Sequence, residues 1–84
     1  MDTRNRFGLN LQRARQAKQL SQEELAFRAA LHPKTISHFE RGVRGPRMET
    51  VVKLATVLGT SPEALCAGIH WDESRRRFEC DPPL

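Results

Sequence analysis

Two local signals confine the middle of this chain to a pair of short helices joined by a tight turn. The four residues from Ser21 to Glu24 have the S-x-x-E spacing of a capping box, in which the serine hydroxyl accepts the third helical N–H and the glutamate reaches back to the N-cap. Pro33 limits that helix from the other side, because proline disfavours helical geometry at the preceding residue and itself suits a first helical position. One helix is therefore predicted from Ser21 to about Ala30, and another begins at Pro33 after a turn of a few residues.

Apolar periodicity and glycine stop signals predict five helices in all, and hence an all-α fold. Apolar residues recur at steps of three and four in the segments before and after the capped helix. A glycine follows the third and fourth segments and ends the fifth, which is where helices commonly stop. Besides the capped helix, the predicted helices cover residues 3–18, 33–41, 48–58 and 61–68.

Residues 69–84 form an extension to the predicted helical domain, residues 1–68. The segments 69–71 and 77–79 flank turn-forming residues, a pattern that fits a short β-hairpin with Trp71 against Phe78. A frayed tail is the alternative, because an isolated hairpin is marginal in water. Residues 82–84 are Pro-Pro-Leu and are expected to be disordered.

Basic residues are concentrated in the first half of this small, single-domain chain. Residues 1–47 hold ten lysines and arginines against four acidic residues, whereas residues 48–84 hold four against six. This asymmetry favours a polyanionic partner, because neutralising phosphates releases counterions, although a solvated basic face without a ligand has the same composition. No apolar run approaches the roughly 18 residues of a membrane span, so a cytoplasmic protein is expected.

Residues with catalytic or metal-binding chemistry do not form a recognisable pattern. Cys66 and Cys80 are too few for a disulfide framework, and zinc-site spacings are absent, so free thiols are expected and neither a metal nor a cofactor is. The sequence contains no glycine-rich phosphate loop and no nucleophile beside a base. Enzymatic activity is therefore not expected.

The predicted helix 33–41 has two faces of different character. Ile36, Phe39 and Glu40 share an inner side. The other side carries four polar residues at i, i+3, i+4 and i+7, namely Lys34, Ser37, His38 and Arg41. A short helix that presents cations and hydrogen-bond donors without an acid suits a DNA major groove about 12 Å wide. The same stripe also fits the solvated side of an ordinary surface helix.

Several of these motifs together resemble a known family. The matching residues are Leu20–Ala26, Thr35–Ser37, Phe39–Gly42, Pro46, Leu54-Ala55 and Leu58-Gly59. In order and spacing they are similar to the Cro and phage-repressor type of helix-turn-helix domain, the Xre family, over about residues 5–68. The resemblance implies a five-helix, lambda-repressor-like fold whose third helix, residues 33–41, enters the DNA major groove.

The resemblance also implies roles for individual residues. Three residues of the third helix would contact base edges: Lys34, Ser37 and His38. Six residues would contact the DNA backbone: Gln22, His32, Thr35, Arg41, Arg44 and Arg47. Ala26 and Ile36 would pack the helices together, and Arg15 would form a partly buried ion pair with Glu40.

Three positions depart from the family pattern. Ala30 stands where the turn usually has glycine, so the turn is expected to be shifted or strained. His32 replaces the usual serine or threonine cap and is expected to weaken the start of the third helix. Pro33 replaces a side chain that often contacts DNA, so specificity is expected to depend on the three base-contacting residues.

These features predict a sequence-specific, double-stranded DNA-binding transcriptional regulator located with the nucleoid in the cytoplasm. A homodimer on a palindromic operator is expected, because one recognition helix contacts only a few base pairs. The dimer surface is expected among apolar residues of the fifth helix and the extension: Leu65, Ile69, Trp71 and Phe78. The alternative is an antitoxin or adaptor in which the same fold binds a protein partner.

Overall fold

A computed structural model describes residues 3–82, which form five helices followed by a two-stranded antiparallel sheet. The helices are α1 Thr3–Ala17, α2 Gln22–Arg28, α3 Pro33–Glu40, α4 Met48–Leu58 and α5 Pro62–Leu65, and the strands are β1 Ile69–Asp72 and β2 Arg77–Cys80. The predicted five helices are confirmed, and the extension is a hairpin and not a frayed tail. Of the end predicted to be disordered, Pro83 and Leu84 lie outside the described residues.

Every helix contributes one fully buried aliphatic side chain to a single core. These side chains are Leu11, Leu25, Ile36, Leu54 and Leu65. Phe7 and Phe39 pack edge to face beside them, with ring centroids 6.2 Å apart. Because α3 is held by this core through its inner side, its outer side remains available to a ligand.

Gly8 allows α1 and α3 to approach closely. A Cβ atom at this position would lie 2.3 Å from the backbone oxygen of Phe39, far inside van der Waals contact. The approach places the last turn of α3 directly against α1, and this contact fixes the tilt of α3.

The turn between α2 and α3 is built as the capping residues indicate, but with strain. Ser21 and Glu24 exchange the two hydrogen bonds of a capping box, at 3.0 and 2.8 Å. The helix ends at Arg28, two residues before the expected end, in a Schellman motif in which the N–H of Leu31 donates to the carbonyl of Ala26 at 2.8 Å. Ala30 takes the left-handed position of that motif at φ 54°, so the turn is strained and not shifted.

The expectation that His32 weakens the start of α3 is wrong. Its imidazole Nδ1 accepts the backbone N–H of Lys34 at 3.0 Å, which is the hydrogen bond that a serine or threonine cap would make. The preference for serine or threonine describes residue types and does not specify the ring orientation by which His32 makes this hydrogen bond.

A buried arginine anchors the hairpin to α1. Arg6 is 4% exposed and donates to the backbone carbonyl of Pro82. Gly68, at φ 86°, lies against this guanidinium, where a Cβ atom would come within 2.9 Å of Arg6 Nη1. In the sheet, Trp71 lies opposite Phe78, and their rings pack edge to face with centroids 5.1 Å apart, as predicted.

α5 is shorter than predicted, and this changes which residues are exposed near the hairpin. It ends at Leu65, so Cys66 lies at its C-cap as an exposed free thiol, whereas Cys80 is buried. Leu65 is 1% exposed and belongs to the core, so it offers no surface to a second subunit. No helix within residues 3–82 is long and apolar enough to cross a membrane.

Candidate nucleic-acid interface

An open groove of about 830 Å³ lies between the start of α2 and the outer side of α3. Five of the nine residues predicted to contact DNA line it: Gln22, Lys34, Ser37, His38 and Arg41. The remaining lining residues are Arg15, Ser21, Glu23 and Pro33. The fold therefore assembles the polar stripe of α3 and the start of α2 into one concave surface.

The stripe on α3 is graded in exposure from its edges to its centre. Lys34 and Arg41 are exposed, whereas Ser37 and His38 are half-buried. Nδ1 of His38 is buried and has no hydrogen-bond partner among the described residues, although the side chain lines the groove. The two cations can therefore reach furthest, and the hydroxyl and imidazole lie deeper in the groove.

An ion pair beneath the groove connects α1 to α3. Arg15 donates to both carboxylate oxygens of Glu40, at 2.6 and 2.9 Å, and also to the backbone carbonyl of Leu20 at 2.9 Å. The hydrogen bond to Glu40 raises the pKa of Arg15, and this effect outweighs the opposing effect of burial. Because the pair is self-neutralised, the unpaired positive charge of the groove comes from α3.

Gln22 is held to the same carboxylate. Its side-chain amide donates to Glu40 Oε1 at 3.1 Å. The resemblance implies a phosphate contact for this residue, and the structure shows that its side chain is oriented by an internal hydrogen bond at the rim of the groove. The carboxylate of Glu40 thus receives donors from Arg15 and Gln22, which links three helices at one point.

The other four predicted contacts lie outside the groove. His32 precedes α3 and uses Nδ1 as the helix cap, and Thr35 is half-buried in the first turn of α3. Arg44 and Arg47 are exposed in the loop after α3. That loop is tied back to the helix, since the N–H of Val43 donates to the carbonyl of His38 at 2.9 Å.

Ser21 and Glu23 also line the groove, although neither is among the residues predicted to contact DNA. Ser21 is predicted only as the N-cap of α2, a role that the structure confirms, and no role is predicted for Glu23. No sequence signal places them there, because residues adjacent to Gln22 face different sides of the helix, and the groove forms only when α2 packs against α3. Within residues 3–82, no three histidine, cysteine or acidic side chains converge as metal ligands would.

Comparisons with known proteins agree with this geometry. Residues 11–65 match a family model described as helix-turn-helix. The HTH-type transcriptional regulator y4dJ of Sinorhizobium fredii is 41% identical over 61 residues, which is 73% of this chain and 79% of that protein. The hairpin lies beyond the residues that the family model matches.

Two solved structures show the same arrangement of helices. The restriction-modification controller protein C.AhdI from Aeromonas hydrophila is 40% identical and superposes with a TM-score of 0.72, over 74% of this chain and 94% of that chain. The biofilm master regulator SinR, solved in complex with DNA, is 28% identical with a TM-score of 0.68, over 70% of this chain and 95% of that chain.

Proposed function

This chain belongs to the helix-turn-helix family of DNA-binding transcriptional regulators, and we propose that it places α3 in the major groove of double-stranded DNA. One observation carries the proposal. The outer side of α3 joins the start of α2 in a single concave, polar surface, while Ile36 and Phe39 on its inner side are buried in the core. A helix held in this way can enter a groove as a rigid unit.

We propose that three side chains of α3 contact base edges. Lys34 donates to guanine O6 or N7, and its exposure gives it the reach. His38 presents its imidazole, and Ser37 lies beside it as a donor or acceptor. The DNA backbone is contacted by the remaining six residues: Gln22, His32, Thr35, Arg41, Arg44 and Arg47.

We also propose a homodimer that binds a palindromic operator. A single α3 spans too few base pairs for useful specificity, so two copies on half-sites about 34 Å apart are needed. Selection of bound sequences from a random DNA pool should return an inverted repeat with this spacing. Recovery of a single asymmetric half-site would contradict the dimer. A DNA ligand also places the protein with the nucleoid in the cytoplasm.

A protein-binding role, as an antitoxin or adaptor, is the second candidate. Phe27 favours it, because this aromatic residue of α2 is 86% exposed beside Leu20 and Arg28. Ionic strength separates the candidates. DNA binding through about six phosphate contacts should weaken roughly 10³-fold between about 50 and 200 mM salt, whereas an apolar protein interface should change little. A mixed-sequence duplex that shows no binding in dilute buffer would exclude the DNA-binding role.

A further inference from the structure

The hairpin has an apolar side that the helices cover only at its base. Alternation along the strands places Ile69, Trp71, Phe78 and Cys80 on one side of the sheet. Cys80 is buried and Ile69 packs against the core, whereas Trp71 and Phe78 are 53% and 54% exposed. Two adjacent aromatic rings half-open to water thus form an exposed apolar patch on a two-stranded sheet.

The outer edge of β1 carries the backbone groups of Ile69 and Trp71. The N–H of Ile69 already donates to the carbonyl of Cys66 at 3.1 Å, so the open backbone groups are centred on Trp71. The N–H of Asp81 donates to the carbonyl of Gly68 at 2.7 Å, which makes these two residues a hydrogen-bonded pair. Such pairs alternate along an antiparallel ladder, so His70 and Asp72 bond inward to β2 while Trp71 directs its N–H and carbonyl outward. Since α1 packs beside β2, and β1 pairs only with β2 among residues 3–82, β1 is the open edge.

We propose that this edge pairs with β1 of a second copy of the chain, forming a four-stranded antiparallel sheet with its two-fold axis at Trp71. The inference specifies the contact of the homodimer proposed above and rests on that proposal. The two Trp71 residues exchange their outward hydrogen bonds, and His70 lies directly opposite Asp72 of the second copy. In a register shifted by two residues, His70 would lie opposite His70 of the second copy, and the complementary pairing of His70 with Asp72 would be lost.

The charges at the tip of the hairpin favour a second copy over DNA as the partner. Arg75 lies 3.7 Å from Asp72 and 3.4 Å from Glu79, and Arg77 lies 3.1 Å from Glu79. These arginines are therefore largely neutralised within the hairpin. The hairpin also contacts α1 at Arg6. The concave protein surface between α2 and α3 includes Arg15, which lies roughly 14 Å further along the axis of α1. The sheet and the groove can thus be occupied together.

Site-directed cross-linking tests the register. In a Cys66→Ser chain, which lacks the exposed thiol, Trp71→Cys places two cysteines on the axis, where paired Cα atoms about 5.5 Å apart permit a disulfide. Phe78→Cys is the matched control, because it is equally exposed in the same hairpin but lies roughly 14 Å from its copy across three strand spacings. We expect intermolecular disulfides from Trp71→Cys alone. Equal cross-linking of the two variants, or none from Trp71→Cys, would overturn the proposal.

Sedimentation of the otherwise unmodified chain provides a second measurement that needs no cysteine. Trp71→Lys puts two like charges opposite each other and should raise the dimer dissociation constant roughly tenfold more than Phe78→Lys. Equal effects of the two lysines would reject β1 pairing. Circular dichroism of each variant confirms that the helices remain folded.

Binding of each chain to a mixed-sequence duplex in dilute buffer separates this inference from the proposed function. If the parent chain binds DNA but Trp71→Cys does not cross-link, the proposed β1 contact is refuted and the proposed function is not. If the chain cross-links at Trp71 but the parent chain does not bind DNA, the proposed function is refuted and the β1 contact is supported.

Discussion

Ala30 holds the left-handed position of the α2–α3 turn at φ 54°, a conformation that costs a non-glycine residue roughly 1–2 kcal/mol. We predict that Ala30→Gly stabilises the protein by about 1 kcal/mol, the relieved strain less the added flexibility of the unfolded chain. Urea unfolding measures the change. Ala29→Gly is the matched control: Ala29 has φ −95° and is buried, so it should lose stability instead. Equal losses at both positions would show that the turn is not strained.

The ion pair beneath the groove matters for stability mainly because either buried charge would be destabilising without the other. The side chains of Arg15 and Glu40 are 12% and 3% exposed. Arg15→Met should destabilise the fold by about 3–5 kcal/mol, because it leaves a buried carboxylate without its counter-charge. The double variant Arg15→Met/Glu40→Met should cost less than Arg15→Met, as determined from a cycle of unfolding free energies. Additive losses would mean that the two side chains act independently.

For single residues, the sequence predicts the general role of a side chain better than its hydrogen-bond partners. The ion pair follows from the family resemblance, whereas the hydrogen bond from Gln22 to Glu40 does not, because it depends on how α2 and α3 are oriented. The capping role of His32 differs from the expectation for a related reason. Its value as a cap depends on one ring rotamer, which a residue-type preference cannot specify.

Among the secondary-structure elements, the hairpin turn should be sensitive to acid. The hydrogen bond from the Ser74 hydroxyl, followed by the N–H of Arg75, holds the pKa of Asp72 below its ordinary value of 3.8. The carboxylate therefore stabilises the turn fully above pH 3.8, and this stabilisation is lost as the pH falls through the lower, folded-state pKa. Emission from Trp71, the single tryptophan, should report this loosening. Asp72→Asn should reduce the acid-dependent step, and the remainder should come from Glu79, whose pKa is lowered by the hydrogen bond from Arg77. An unchanged step would assign it to a group other than Asp72.

Element boundaries were predictable where a local cap sets them. The capping box at Ser21, Pro33 at the start of α3 and Gly59 after α4 each act within one helical turn, and the structure begins or ends helices there. Gly8 gave no such signal, because its importance comes from Phe39, which is distant in sequence. The early end of α5 likewise depends on how the following residues enter the sheet.

For the whole molecule, apolar periodicity, the polar stripe of helix 33–41 and the family resemblance predicted the fold and which side of α3 faces outward. They did not predict that Ser21 and Glu23 would line the same groove, since that requires the packing of α2 against α3. The hairpin lies outside the matched family segment, and its exposed edge became apparent only from the phase of its hydrogen bonds. The groove includes Arg15, whereas the hairpin contacts α1 through Arg6 near the other end of the helix, so DNA binding and self-association are compatible.

The most direct test of the account measures how Lys34→Ala and Arg44→Ala change affinity for a selected operator, for operators substituted at each base pair, and for random DNA. If α3 contacts base edges, Lys34→Ala should cost about 1–3 kcal/mol chiefly at one base position, while Arg44→Ala should weaken binding to all sequences alike. Equal losses for both variants on operator and random DNA would contradict the placement of α3 in the major groove.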